Sequence, residues 1–313
     1  DPLRWEKVDL GEQTAYTFIR TLFSYLDGNL GLDNNLVDSW SQAVAQEHAK
    51  LAVAGAVSVV VMDHEADAVI KTGAQVNQDS AFRSAEQAVT VEATSTNNAV
   101  ALAGNFETFG FQGMTSPKSW KFGDLWQTPG PGVGSDSDKS SKAVGITVQV
   151  HAYVADVLAK IEDGVDLYAD TLEVNATNDV LGVAAGVSGG NSEDFGLNGV
   201  FDVTIVDNST TAQIDDRATV VVGDDVTIEA TDTAYVFTAA GSLARSEKAG
   251  IGASLAFQKV TRDTQAFIGQ DADDASLLGG GALTAGGDVT LNASSKGVFG
   301  AFAVAGAGAS QKT

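Results

Sequence analysis

The chain has no cysteine, which excludes disulfides, thiolate nucleophiles and cysteine-ligated metals. Basic residues are scarce: 18 Lys+Arg stand against 41 Asp+Glu, a formal charge of −23 spread along the whole sequence. Such a surface repels phosphate backbones and excludes nucleic acid as a partner. Long apolar runs are missing too. The longest, from Leu51 to Met62, is interrupted by Gly55 and Ser58 and falls short of the roughly 18 to 20 residues of a membrane span. The three histidines, His48, His64 and His151, have no His-x-x-x-His spacing to mark a metal or catalytic site. Asp63 and Glu65 flank His64, but on an alternating strand both acids point to the face opposite the imidazole. There are 4 Pro, and all of them, like all 4 Trp, lie at or before Pro131, so the amino-terminal part differs from the plainer stretch that follows. The sequence begins at Asp1 with neither Met nor a signal peptide, which reads as a fragment or processed product whose targeting signals lie elsewhere.

What is present is small and repetitive. There are 34 Gly in 313 residues, 44% of positions are hydrophobic, and mean hydropathy is +0.03. This is a folded chain of small residues rather than a disordered one. A first block runs from a Gly through alternating apolar residues to Ala-x-Ile. Its copies start at Gly55, Gly145, Gly199 and Gly252 and end at Ile70, Ile161, Ile214 and Ile268, with separations of 15, 16, 15 and 16 residues. A second block follows each time: Val89-Thr-Val-Glu-Ala-Thr94, Leu172 to Thr177, Val226 to Thr231 and Val289 to Ser294. A third ends in Ala-Gly at Gly104, Gly186, Gly241 and Gly306.

Strict alternation rich in β-branched residues means strands, with the apolar side toward a core and Thr, Glu and Asn outward. Inward Ala and Gly suit a narrow stacked interior. The fold class expected is all-β, a parallel β-helix-like solenoid array with an inserted N-terminal helical hairpin. The hairpin rests on Ala15, Phe18, Ile19, Leu22, Phe23 and Leu26 at helical spacing, then on Leu36, Val37, Trp40, Val44 and Leu51 after Asp33-Asn34-Asn35. The organisation expected is a lead-in over 1–50, repeat 1 over 51–104, an insertion over 105–142, repeat 2 over 143–190, repeat 3 over 191–245, and over 246–313 repeat 4 with the start of a further copy. The closing Ala305-Gly-Ala-Gly-Ala-Ser310 resembles Ala249-Gly-Ile-Gly-Ala-Ser254, so the array reads as cut within a repeat.

Insertions between the strands of a repeat form loops, the natural places for contacts. The segment 105–142 holds Phe106, Phe109, Phe111, Trp120, Phe122 and Trp126. Such aromatics stack on sugar rings, anchor a protein partner, or form a small core of their own. Asp136 and Asp138, or Asp271, Asp273 and Asp274, offer oxygen ligands for calcium from a turn, though without the spacing of an EF-hand or a β-roll. Ordinary polar turns explain the same residues. No catalytic cluster is expected, and the reading is not an enzyme.

At Val226-Thr-Ile-Glu-Ala-Thr231, Thr238-Ala-Ala-Gly241 and Gly252-Ala-Ser-Leu255 the sequence resembles the repeats of giant bacterial filamentous adhesins of the leukotoxin and haemagglutinin type. The likeness covers roughly 51–313 without the insertions. It implies an exported, surface-attached β-solenoid, extracellular or on the cell surface, whose partners are its own repeats or copies end to end or laterally, and a cell-surface glycan or protein. The alternative is a secreted carbohydrate-binding or carbohydrate-cleaving β-helix, which requires a groove where acids and aromatics converge.

Overall fold

The computed structural model describes residues 36–42, 50–81, 83–104, 140–269 and 280–309. The described residues form twelve strands and no helix: β1 (Leu36–Gln42), β2 (Ala52–Ile70), β3 (Gln75–Val76), β4 (Ala88–Gly104), β5 (Ser140–Ile161), β6 (Asp166–Ala169), β7 (Thr171–Ile214), β8 (Thr219–Val222), β9 (Val226–Ser246), β10 (Ala249–Ile268), β11 (Ala282–Ala285) and β12 (Val289–Ala309). Every pairing is parallel.

Three walls result. The first is β1-β4-β7-β9-β12, using residues 171–192 of β7. The second is β2-β5-β7-β10, using residues 195–214 of the same strand. The third is the short stack β3-β6-β8-β11. The chain climbs the first wall, turns over, descends the second, crosses the short wall and begins again. This is a flattened parallel β-solenoid, and parallel pairing follows because each strand meets its own equivalent one coil later.

The repeat blocks explain the register. Ile70, Ile161, Ile214 and Ile268 stand in one column, and so do Val91, Val174, Ile228 and Leu291. With the short wall these columns enclose the main apolar core, in which Ile161, Val174 and Ile228 are fully buried. The glycines do not align as strictly. Gly55 and Gly199 both flank Ile146, whereas Gly145 and Gly252 both flank Asn198, one position earlier and therefore on the opposite face. The alternating separations of 15 and 16 residues record that shift.

At the corner between the second wall and the short wall, Gly73 (φ 78°) and Gly164 (φ 66°) supply the left-handed turn that L side chains resist. Neighbouring turns are tied together across coils. Arg217 binds the Asp163 carboxylate through its guanidinium, and its backbone N–H donates to Asp163 Oδ1 at 3.2 Å. Glu162 accepts from Thr72 N at 2.8 Å and from Lys71 Nζ at 3.2 Å.

The expected helical hairpin is corrected in its second half. Leu36–Gln42 is a strand, paired parallel with residues 98–104 of β4. An open sheet edge offers hydrogen bonds and an apolar neighbour to any nearby extended segment, and this outweighs weak helical periodicity. The first half, Ala15 to Leu26, lies outside the described residues.

Candidate functional site: a half-coil turned inside out

Along the second wall the alternation of polar and apolar residues is regular but its sense reverses halfway, whereas on the first wall Ala230, Ala234 and Val236 keep the inward side of β9 apolar on both sides of Asp232. Near the short wall the pattern is the expected one. Val91, Ala93, Val174 and Ala176 point in and are buried, while Thr90, Glu92 and Glu173 point out and are exposed. In the half far from the short wall, Thr147, Gln149, His151, Asp202 and Thr204 are buried, whereas Ile146 and Phe201 on the same strands are exposed. The expectation that Thr and other polar residues face out is therefore wrong for the first block. Its Ile146, Val148 and Val150 point outward, and Thr147 and Gln149 point in.

The interior of this half is narrow enough for short polar side chains to cross it. Thr147 Oγ1 donates to the Val187 carbonyl at 2.9 Å, Asn198 Nδ2 to the Leu243 carbonyl at 3.0 Å, and Gln258 Nε2 to the Val236 carbonyl at 3.3 Å. The hydroxyls of Thr204 and Thr238 meet at 2.9 Å. Glycine makes the approach possible: a Cβ on Gly182 would stand 2.8 Å from the Tyr153 ring, and one on Gly186 would stand 2.7 Å from Gln149 Oε1.

Where the two senses meet, Asp232 is fully buried and held from several sides. Arg262 Nε donates to its Oδ2 at 2.6 Å, and Asn178 and Asn208 donate to its Oδ1 at 3.1 and 3.3 Å. The same guanidinium reaches the Lys296 carbonyl at 2.9 Å and lies 5.6 Å from the centre of the Phe299 ring. This is a buried charge satisfied by donors from both long walls.

Its neighbours are less well served. Neither carboxylate oxygen of Asp202, neither ring nitrogen of His151 and not the Tyr153 hydroxyl has a hydrogen-bond partner among the described residues. Burial pushes Asp202 up to about 7 and His151 down to about 4. It also raises Tyr153, to which the Asp202 charge adds. At neutral pH the imidazole is neutral and the carboxyl near its midpoint, and neither group hydrogen-bonds the other.

Phe106, Phe109, Phe111, Trp120, Phe122, Trp126, Asp136, Asp138, Asp271, Asp273 and Asp274 all lie outside the described residues. Among the described residues no group of three His, Asp or Glu is placed to hold a metal ion. Asp215 and Asp225 sit between strands, Asp215 beside Lys160 Nζ at 3.0 Å and Asp225 accepting from Asp288 N at 2.7 Å. His64 is half-buried while Asp63 and Glu65 are exposed, as alternation requires. A recess lined largely by Gly and Ala around Gly55, Gly104 and Gly189 has a cavity volume of only about 10 Å³, room for about one water and far too small for a ligand.

What the sequence reading missed is the outer face of the second wall. Val53, Val144, Leu197 and Ile251 form one cross-strand row. Val57, Val148, Phe201 and Leu255 form another, and Val59, Val150, Val203 and Phe257 the next. Exposure is 63% at Val57, 43% at Phe201 and 52% at Leu255. No helix among the described residues is long and apolar enough to cross a membrane. Comparison of the chain with protein-family models, with curated proteins and with solved structures gave no match.

Proposed function

We propose that this chain is a structural, adhesive segment of a long extracellular surface protein or filament, in which stacked coils supply length and the insertions make contacts. The observation that carries the reading is the open, self-similar edge of the stack. Among the described residues β10, β11 and β12 each pair on one side only. Their inward positions continue the columns below them: Ala93, Ala176 and Ala230 are buried, and Ala293 above them is exposed. A further coil, from the same or another molecule, finds there the same surface that each coil finds on its predecessor.

Charge favours stacking as well. In the outward column Glu92, Asn175, Glu229 and Asn292, acids alternate with amides. Asn292 Nδ2 donates to Glu229 Oε1 at 2.9 Å, so like charges are kept out of direct contact. The alternative of carbohydrate binding or cleavage has no such support from the described acids, which lie in turns, in outward columns or, as Asp202 and Asp232 do, sealed in the interior.

Ala293→Asp tests the stacking. It places a carboxylate where the next coil would bury it without a partner, at a cost of several kcal/mol, while leaving the end coil's own contacts intact. Electron microscopy of the wild-type chain is expected to show end-to-end fibres, and Ala293→Asp to shorten them with an unchanged circular dichroism spectrum. Equal length distributions would refute the reading.

A further inference from the structure

We propose that the outer face of the second wall is a lateral interface with a second copy of this chain, strands antiparallel across it, so that two solenoids run side by side. This deepens the stacking reading by naming the lateral partner. The five cross-strand rows that begin at Val53, Gly55, Val57, Val59 and Val61 contain one charged residue, Lys259, and no acid. In a chain of charge −23 that is an unusual gap. The next row holds Asp63 and Asp207, and the one after it Glu65, Asp156 and Asp263.

This lopsided layout selects the orientation. Two faces laid together with strands running the same way would press acid onto acid. Rotation by half a turn about an axis lying in the interface, parallel to the solenoid axis and over the Val57–Leu255 row, overlaps only the apolar halves. It also lays the row holding Lys142, Phe195 and Ala249 over the row holding Asp63 and Asp207, so that the exposed Lys142 of each copy falls between two carboxylates of the other. Each coil then faces its own equivalent, and both stacks point the same way, so either can lengthen without disturbing the pair.

The size is adequate. Five rows about 6.6 Å apart on four strands about 4.8 Å apart give about 600 Å² per copy, and about 1,200 Å² in total is the lower limit for a specific interface. Every further coil adds to it. A bilayer is the weaker occupant, because β2 and β10, each paired on one side only among the described residues, would leave backbone N–H and C=O groups beside the patch unpaired in hydrocarbon.

The test uses the full chain, which has no cysteine of its own. Sedimentation equilibrium is expected to give dimers or even-numbered assemblies for wild type. For Phe201→Asp, an outward position, it is expected to give species of half the mass with an unchanged melting curve. Lys142→Asp weakens pairing about tenfold, and adding Asp63→Lys and Asp207→Lys restores it. With a short bis-maleimide linker Val57→Cys couples to itself, whereas Val53→Cys couples to Val61→Cys better than either couples to itself. Monomeric wild type, self-coupling of Val53→Cys in preference to Val61→Cys, or flotation of monomers with phosphatidylcholine vesicles would each overturn the proposal. Thin single fibres from Phe201→Asp would show axial stacking to be independent of it; loss of fibres with pairing retained would sink the stacking reading and not this one.

Discussion

Asp202 and His151 are buried on neighbouring strands of one wall, and their ordinary ionisations are pulled in opposite directions. Between pH 3.8 and about 7 the folded chain keeps a proton on Asp202 that the unfolded chain has lost. Stability from this group therefore falls as pH rises through that window and stays lower above it. His151 acts the other way: between about 4 and 6.5 the unfolded chain binds the extra proton, so its contribution falls as pH drops through that window. Their opposite pH slopes nearly cancel between about 4 and 6.5, where both costs are present, and only the Asp202 cost persists in alkali. Asp202→Asn is thus expected to melt like wild type near pH 4 and to be more stable at pH 8, on the order of 2 to 4 kcal/mol. Melts at pH 4, 6 and 8 check this. A gap between the two proteins that does not widen with pH would contradict it.

The strands themselves were largely legible in the sequence, because one column position in each coil must fill the same hole. Ile161 and Ile214 are buried to 0% and 1% exposure, and their equivalent Ile268 on the terminal strand is 39% exposed. Ile161→Ala is expected to cost about 2 to 5 kcal/mol in denaturant melts. Ile268→Ala is expected to cost less than about 1 kcal/mol, since its site is half open. Equal losses would mean that the end coil is covered.

The sense of the faces was not legible. Alternation in Gly145-Ile-Thr-Val-Gln-Val150 fixes that Thr147 and Gln149 share a side, but not which side that is. The side was decided by partners far along the chain: Val187 for Thr147 and Ala101 for Gln149, whose amide donates to that carbonyl at 3.4 Å. The strand at Leu36–Gln42 was hidden for the same reason. Leu36, Val37 and Trp40 satisfy a helical spacing, and only the waiting edge of β4 makes the extended form better.

For the whole molecule, coil lengths differ while the stack stays continuous. Asn178 and Asp232 are neighbours 54 residues apart, and Glu229 and Asn292 are neighbours 63 apart. The difference is absorbed between strands, so insertions of any size leave the columns intact. Such an architecture tolerates decoration and rewards extension, which is what the proposed structural role requires. The most direct test is diffraction from aligned fibres of the wild-type chain. A strong reflection along the fibre axis at about 4.8 Å, the rise of one coil, is the predicted result. A specimen in which that spacing is absent or lies across the axis would contradict the stacked parallel solenoid.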